Sequence, residues 1–241
     1  MPVTRKIAIY QGFHGLGVPL EIAEDIKAQR ADLLCLPEYF FVGPDEPSIL
    51  PSADRHDSHL QYLIDLSERL GCAITGGTLV VKEDSGYKNR CYFIDGGKII
   101  GYYDKIHLYK NEGRGQVLPG KEYKVIDWRG VRVGLLICAD VLNRSSFENM
   151  KELNPDLIVV PVTSPYQESE TIDAKYARDN ELFIEGARIA GCPIVKVGSV
   201  GKIAGRMLQG RSLVASETEI LFRVSPEAEA EPTLKIIDLT L

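Results

Sequence analysis

Three short segments of the 241-residue sequence each place a reactive side chain at the end of an apolar or aromatic stretch. In LLCLPEYF this residue is Glu38, in YYDKIHLY it is Lys105, and in VGLLICAD it is Cys138. Such stretches predict buried strands, and ligand sites in α/β sheets collect at the carboxyl ends of strands. We therefore expect a carboxylate, an ammonium group and a thiol to converge on one reaction centre.

Each of these three residue types suits a step of nucleophilic catalysis. Burial beside apolar residues would raise the pKa of Glu38 toward that of a useful base. Lys105 would present a fixed cation to a developing oxyanion. A thiol at the strand-to-helix turn of Cys138 would meet backbone N–H groups and a helix dipole, and both favour a thiolate and an oxyanion.

Taken singly, each of the three segments has a purely structural alternative. Glu38 could cap a helix or lie on the surface, Lys105 could face solvent at a strand end, and Cys138 could be a buried structural thiol. Only the combination of base, cation and nucleophile favours an enzyme.

Other familiar chemistries have no matching pattern in the sequence. There is no GxSxG nucleophile elbow and no GxxxxGK[ST] phosphate loop. The five cysteines are odd in number and form no CxxC pair, which indicates neither a disulfide framework nor a zinc site. We therefore expect no zinc site.

Composition excludes some classes of partner. A formal net charge of −6 disfavours nucleic-acid binding, although a local basic pocket for an anionic substrate stays possible. Residues 1–10 lack the apolar stretch of a signal peptide, and no run approaches the ~20 apolar residues of a membrane helix. We expect no membrane partner and a cytosolic location by default.

The elements that must position these side chains can be predicted from hydrophobic periodicity. Helices are predicted over residues 19–30, 58–70, 143–153 and 168–190. Strands are predicted over residues 6–10, 32–37, 73–81, 90–95, 98–103, 131–138, 157–161, 194–197, 212–215, 220–223 and 234–239. This order favours a single α/β domain over residues 1–241, in which helices cover a sheet whose middle strands form hairpins.

With these segments in view, the sequence resembles the nitrilase, or carbon–nitrogen hydrolase, superfamily. The matching strings are LPEYF, GKIIGYYDKIHLY and GVRVGLLICAD, in that order, together with GGTLV, NRCYFID, LPG, DLIVVPV and GRSLVASETEILF. The resemblance covers essentially the whole chain. It implies a four-layer α-β-β-α sandwich with mixed sheets, which forms homodimers or larger homo-oligomers by packing helices of two subunits together.

The resemblance also implies a Glu-Lys-Cys triad that cleaves a non-peptide C–N bond in a small-molecule amide and needs no metal or organic cofactor. Glu38 would take the thiol proton, and Cys138 would attack the carbonyl carbon to form a thioester. Lys105 and the backbone N–H of Ala139 would stabilise the oxyanion. Glu112, which precedes a Pro-Gly pair as a second glutamate does in many members, would orient the lysine or assist the base; otherwise it is a surface loop residue.

Further residues are expected to shape the substrate pocket because they follow the base, the nucleophile or the next strand. They are Tyr39, Ala139, Asn143, Arg144, Thr163 and Ser164. Arg144 could bind a substrate carboxylate, or it could be a surface residue at a helix start. The position after the cysteine is often aromatic in the superfamily, so the small Ala139 should enlarge the pocket.

Several activities are compatible with these residues. An amidase acting on a small carboxamide or an N-carbamoyl compound is the leading hypothesis, with nitrile hydrolysis as a minority option. Acyl transfer to an amine or alcohol would use the same thioester. A relative that only binds small molecules or partners is disfavoured because all three triad residue types are present.

Overall fold

The computed structural model describes residues 2–110 and 112–241, which form helices, strands and short 3₁₀ turns. The helices are α1 (Leu20–Ala28), α2 (His56–Leu70), α3 (Arg144–Leu153) and α4 (Ile172–Ala190). The strands are β1 (Thr4–Gln11), β2 (Leu33–Cys35), β3 (Ala73–Thr75), β4 (Leu79–Glu83), β5 (Gly86–Asp95), β6 (Lys98–Asp104), β7 (Val125–Trp128), β8 (Val131–Leu135), β9 (Leu157–Pro161), β10 (Ile194–Val197), β11 (Gly201–Ile203), β12 (Arg206–Leu208), β13 (Leu213–Ala215), β14 (Ile220–Arg223) and β15 (Thr233–Thr240).

Most strands belong to two mixed sheets. The first sheet has the order β15-β1-β2-β3-β5-β4, with β6 also paired to β5. The second has the order β14-β13-β10-β9-β8-β7. The strands β1, β2 and β3 are parallel, as are β8, β9 and β10, so each sheet gathers several carboxyl ends on one edge. The remaining pair, β11 and β12, forms a separate hairpin.

Alternation along β1 shows how the layers stack. Ile7 and Ile9 contribute to the core between the two sheets, whereas Ala8 and Tyr10 pack in a second core that includes residues of α1 and α2. Successive side chains of a strand point to opposite faces, so a strand buried on both faces must lie inside the molecule. The first sheet is therefore covered by helices on one face and by the second sheet on the other.

Helices α3 and α4 cover the outer face of the second sheet. Their buried residues Phe147, Met150, Phe183 and Ala187 join the larger core. Gly186 permits close contact between the two helices, because a Cβ there would lie 2.5 Å from the Phe147 ring. The predicted four-layer α-β-β-α arrangement is confirmed. No helix in the described ranges is both long and apolar enough to cross a membrane.

Some predicted elements differ from the observed ones. The strand expected over 73–81 is split at Gly77, which adopts a positive φ of 63° and where a Cβ would lie 2.1 Å from the Pro37 carbonyl oxygen. The strand expected over 131–138 ends at Leu135, and Cys138 begins a 3₁₀ turn. Helix α4 starts at Ile172 rather than at residue 168. Its N-cap is Thr171, whose hydroxyl accepts a hydrogen bond from the Ala174 N–H.

Candidate active site

Five elements bring the chemical groups together. Glu38 lies three residues after β2, and Lys105 directly follows β6; both strands belong to the first sheet. Cys138 lies three residues after β8, and Thr163 two residues after β9, in the second sheet. Glu112 comes from the loop after β6. The site thus lies where the ends of strands from both sheets meet.

Lys105 is shared between two carboxylates. Its ammonium Nζ donates to Glu38 Oε1 at 2.8 Å and to Glu112 Oε2 at 2.9 Å. All three side chains are almost fully buried, with 2%, 2% and 7% of the lysine and the two glutamates exposed. An ammonium group in this position is held by both partners, so its orientation is fixed.

One further side chain connects these two carboxylates, and two other groups bind Glu112 alone. The Asn89 amide Nδ2 donates to Glu38 Oε1 and to Glu112 Oε1, at 2.9 Å in both cases. The Tyr39 hydroxyl donates to Glu112 Oε1, and the Tyr109 backbone N–H donates to Glu112 Oε2 at 2.9 Å. Glu112 therefore accepts four hydrogen bonds and is the best-satisfied anion of the cluster.

The two glutamates have opposite pKa shifts. Burial raises the pKa of Glu38 above its usual value, and the charge of Glu112 adds to this, although Lys105 opposes both. Burial also disfavours the charge on Glu112, but Lys105, Tyr39 and the Tyr109 N–H outweigh it and lower its pKa. Glu38 is the carboxylate suited to exchanging a proton, while Glu112 stays ionised.

Thr163 links the base to the nucleophile. Its backbone N–H donates to Glu38 Oε2 at 3.0 Å, and its hydroxyl donates to the Glu38 carbonyl at 3.1 Å. The Thr163 carbonyl oxygen accepts a hydrogen bond from the Cys138 thiol, at an Sγ–O distance of 3.7 Å. Thr163 was expected to contact substrate; its contacts in this structure hold the two reacting groups next to each other.

The turn that carries Cys138 is held in an unusual conformation. Cys138 has a φ of +45°, a region that non-glycine residues rarely occupy. The buried Asp140 carboxylate accepts from the Ile137 N–H at 2.8 Å and from the Tyr103 hydroxyl at 2.9 Å. It also accepts from the His107 N–H at 2.7 Å, which ties the nucleophile turn to the segment that follows Lys105. These bonds stabilise a strained backbone, a feature common at functional sites.

The surroundings of Cys138 act against a thiolate more strongly than the sequence suggested. Burial, followed by the neighbouring charge of Glu38, raises its pKa to about 12, although Lys105 opposes the shift. The helix predicted after Cys138 is α3, which begins at Arg144, and a short 3₁₀ turn separates it from the thiol. Formation of a thiolate therefore requires transfer of the proton to Glu38.

A cavity of about 720 Å³ opens onto these groups. Its lining includes Glu38, Lys105, Glu112 and Cys138. It also includes four of the six residues expected to shape a substrate pocket, namely Tyr39, Ala139, Thr163 and Ser164. Phe40, the neighbour of Tyr39, is instead packed in the core under helices α1 and α2.

Asn143 and Arg144 do not reach this cavity. Arg144 begins α3, and its exposed guanidinium pairs with Glu148 at 2.9 Å and with Glu185 at 3.4 Å. The Asn143 amide donates to the Ala139 carbonyl at 3.2 Å. The 3₁₀ turn that begins at Cys138 lines the cavity as far as Leu142, and the chain leaves the cavity at Asn143. A strand-to-helix junction predicted from sequence does not specify this direction.

Reasoning from sequence missed several residues of the site. Asn89 lies in the middle of β5, and nothing in a strand pattern singles out one polar residue as an active-site bridge. Asp140 follows the cysteine closely, but its role depends on His107 and Tyr103, which are distant in sequence. The cavity also reaches three buried charged residues far from the triad strings, Asp179, Lys196 and Arg211. In the described part of the chain, no group of three His, Cys, Asp or Glu side chains is placed to hold a metal ion.

Comparisons with known proteins show what the chain is similar to. The profile of the carbon-nitrogen hydrolase family matches residues 13–240. An omega-amidase YafV from Yersinia enterocolitica is 28% identical over 68% of this chain, and an (R)-stereoselective amidase from Pseudomonas sp. is 30% identical over 65%. These matches span 64% and 58% of the two relatives' own lengths.

The fold has solved counterparts. An amidase from Nesterenkonia sp. AN1, in a form with the acetamide moiety of fluoroacetamide added covalently at its active-site cysteine, superposes with a TM-score of 0.82. The alignment covers 98% of this chain and 90% of that one at 23% identity. At this identity the likeness establishes the shared sandwich fold.

Proposed function

The chain belongs to the carbon–nitrogen hydrolase family, and on this premise we propose that it hydrolyses the C–N bond of a small carboxamide or N-carbamoyl compound. The reaction passes through a thioester on Cys138 and releases ammonia or an amine. Relatives named as amidases support the amide as the substrate class.

One observation carries the assignment of roles within the site. A single buried ammonium group, Lys105, lies between two carboxylates, and the thiol of Cys138 lies next to one of them. A cation fixed by two anions beside a nucleophile can stabilise a negative charge that develops on the substrate.

Attack by the thiol begins the reaction. Glu38 accepts the Cys138 proton while Sγ forms a bond to the carbonyl carbon, so the thiolate exists only during attack. The carbonyl oxygen gains the negative charge and is stabilised by Lys105 Nζ and by the Ala139 N–H. Collapse of this intermediate breaks the C–N bond, and Glu38 delivers its proton to the departing nitrogen.

Hydrolysis of the thioester completes the cycle. Glu38, ionised again, takes a proton from a water molecule that attacks the thioester carbonyl. The C–S bond then breaks, the acid product leaves, and the proton returns from Glu38 to the Cys138 sulfur. Glu112 orients Lys105 throughout, because its lowered pKa keeps it negatively charged.

Replacement of the nucleophile tests this function. Cys138→Ala should abolish ammonia release, by more than about a thousandfold, from every accepted substrate, because no other group can form the acyl-enzyme. The measurement is ammonia release across a panel of aliphatic amides, carboxylated amides, N-carbamoyl amino acids and nitriles.

Cys192→Ala is the matched control, because this buried thiol lies outside the cavity. Wild-type turnover by Cys138→Ala would contradict the proposal. A preference for nitriles would favour the nitrilase alternative, and hydroxamate formation with added hydroxylamine at the expense of acid would favour acyl transfer.

We also propose that the protein is a homodimer or a larger homo-oligomer, as the family resemblance implies. Sedimentation velocity over a range of concentrations would measure this state, and a monomer at micromolar concentration would contradict it. A cytosolic location remains a prediction from the sequence.

A further inference from the structure

A second charged cluster lines the same cavity as Cys138. Asp179 belongs to α4, Lys196 to β10, and Arg211 to the segment just before β13. The Lys196 ammonium donates to both Asp179 oxygens at 3.1 Å. The Arg211 Nε lies 3.7 Å from Asp179 Oδ2, which is too far for a hydrogen bond.

The donors of Arg211 are buried without being used. Only 4% of its side chain is exposed, and within the described residues neither Nε nor Nη1 has a hydrogen-bond partner. Beside it, Gln209 is also buried, and its Oε1 has no partner in the same set of residues. Buried guanidinium groups are ordinarily satisfied, so unused donors on a cavity wall indicate a missing acceptor.

The charges of the cluster do not balance. Two cations, Lys196 and Arg211, face one carboxylate, Asp179. The nearby Arg178 does not reduce this excess of positive charge, because it is itself a cation and is paired with Glu170. The described residues that line the whole cavity include seven basic and three acidic side chains, although the full chain carries a net charge of −6. The positive potential is therefore concentrated where substrate must enter.

An excess buried cation is energetically unfavourable unless something compensates it. The effect on Lys196 is visible: burial lowers its pKa to about 8, and Arg211 adds to the shift, although Asp179 opposes it. An anion placed between Arg211 and Lys196 would supply the missing charge and the missing acceptor at once. While no anion is bound, Asp179 would keep Lys196 oriented.

We propose that Arg211 and Lys196 bind a carboxylate at one end of the substrate while its amide carbon lies at Cys138. The inference rests on the proposed amide hydrolysis and narrows its substrate to small amides that carry a carboxylate, such as monoamides of short dicarboxylic acids. A cavity of about 720 Å³ is large enough to hold both ends of such a molecule.

The assignment differs from one of the two roles that the sequence left open for Arg144, in which it would bind the carboxylate. Arg144 is exposed, and its charge is already compensated by Glu148 and Glu185. Arg211 is buried and shares its nearby carboxylate, Asp179, with Lys196, and it lines the cavity that contains Cys138. Burial strengthens an ionic hydrogen bond because solvent no longer competes for either partner.

The test compares pairs of substrates that differ only at the far end. Succinamate and butyramide have the same chain length, with a carboxylate in one where the other has a methyl group; glutaramate and pentanamide form a longer pair. For the pair that the wild type hydrolyses more efficiently, we expect kcat/KM to be at least about tenfold higher for the carboxylated member. Hydrogen bonds to a charged group contribute more to binding than those to a neutral group.

Arg211→Gln should remove this preference. Its kcat/KM for the carboxylated amide should fall by about 30-fold, while that for the neutral amide changes by less than about threefold. Arg211→Lys, which keeps the charge, should retain part of the preference. Arg188→Gln is the matched control, because Arg188 lies on α4 with an exposed side chain paired to Glu185. If Arg211→Gln does not fold, Lys196→Gln provides the same comparison.

A binding measurement separates this proposal from the proposed reaction. Succinate or glutarate should raise the melting temperature of the wild type and of Arg188→Gln but not that of Arg211→Gln. Turnover of both members of each pair with equal efficiency, together with no stabilisation by dicarboxylates, would overturn the carboxylate site and leave amide hydrolysis intact. Stabilisation by dicarboxylates without turnover of any amide would overturn the hydrolysis and support the carboxylate site.

Discussion

At the scale of single residues, the two glutamates of the site differ in their surroundings, and in the proposed reaction Glu38 transfers protons while Glu112 orients Lys105. Glu38 has three hydrogen-bond donors and a raised pKa, whereas Glu112 has four donors and a lowered pKa. Both depend on the same ammonium group of Lys105. Each carboxylate therefore influences the other, and removing the charge of one should be visible in the titration of its partner.

Glu112→Gln is expected to change the pH dependence as well as the rate. The negative charge of Glu112 raises the pKa of Glu38, so its loss should lower that pKa and move the acidic limb of the kcat/KM profile to lower pH. Because Lys105 also loses a fixed partner, we expect kcat to fall by about 100-fold. A pH–rate profile measured for both proteins checks this.

Glu122→Gln, at an exposed glutamate outside the cavity, is the matched control for Glu112→Gln. An acidic limb that stayed in place while kcat fell would mean that Glu112 supports the fold without tuning the base.

The sequence located the reacting residues better than the residues that hold them. Glu38, Lys105 and Cys138 each follow an apolar strand, and the structure brings them to one cavity. Asn89 and Asp140 escaped notice, because hydrogen bonds between residues far apart in sequence leave no local periodic pattern. Arg144 is exposed and does not line the cavity. The sequence could not decide between its two possible roles, because the direction of a turn depends on tertiary contacts that spacing does not encode.

At the scale of elements, the approach of the loop before β7 to the end of β6 fixes the position of Lys105. The Gly120 N–H donates to the Lys105 carbonyl at 2.7 Å. A Cβ at Gly120 would lie 2.1 Å from the Asp104 carbonyl oxygen, so only glycine allows the two segments to come this close. The LPG string of the sequence therefore has a steric explanation.

Gly120→Ala should push the end of β6 away and displace Lys105. We expect a loss of about 1–3 kcal/mol in the free energy of unfolding, as for other overpacked sites, and a fall in kcat larger than the loss of folded protein explains. Urea unfolding and kcat measured on the same preparations check both parts.

The comparison for Gly120→Ala is Gly43→Ala, where the nearest atom is the end of the flexible Glu46 side chain at 3.1 Å. Equal effects of the two substitutions on kcat would contradict the close-approach argument.

At this scale the limits of some strands were predicted correctly and other strands were missed. Strands β9, β10 and β14 have the predicted limits, because their apolar runs are bounded by clear turn residues. The hairpin of β11 and β12 was missed, since its three-residue strands are too short to show alternation. Strand β7 was also missed, although its Trp128 is one of the largest buried side chains.

At the scale of the whole molecule, His14 connects segments that follow strands of both sheets. Its Nδ1–H donates to the Tyr39 carbonyl at 2.8 Å, and its Nε2 accepts from the Ser199 hydroxyl at 2.7 Å. Tyr39 follows β2 in the first sheet and Ser199 follows β10 in the second. Burial lowers the pKa of His14 to about 4, although the bond to Tyr39 opposes the shift.

This shift predicts a loss of stability in mild acid. Between pH 6.5 and about 4 the unfolded chain binds a proton at His14 that the folded protein excludes, so stability falls as the pH falls through this window. The full effect is about 3 kcal/mol. His14→Gln should lower stability at pH 7 but flatten its decline between pH 6.5 and 4.5, measured by urea unfolding.

His107→Gln, at a half-buried histidine, is the control for removing an imidazole elsewhere. Parallel declines in the wild type and in His14→Gln would show that the acid sensitivity originates in other groups.

The bond from the Thr163 N–H to Glu38 crosses from one sheet to the other, so the spacing of the reacting atoms depends on the separation of the sheets. An expanded state that kept its helices and strands but loosened the core between the sheets would part the carboxylate from the thiol. Such a state would retain its far-ultraviolet circular dichroism and yet be inert. Turnover in this protein should therefore disappear earlier on a denaturation curve than the far-ultraviolet circular dichroism.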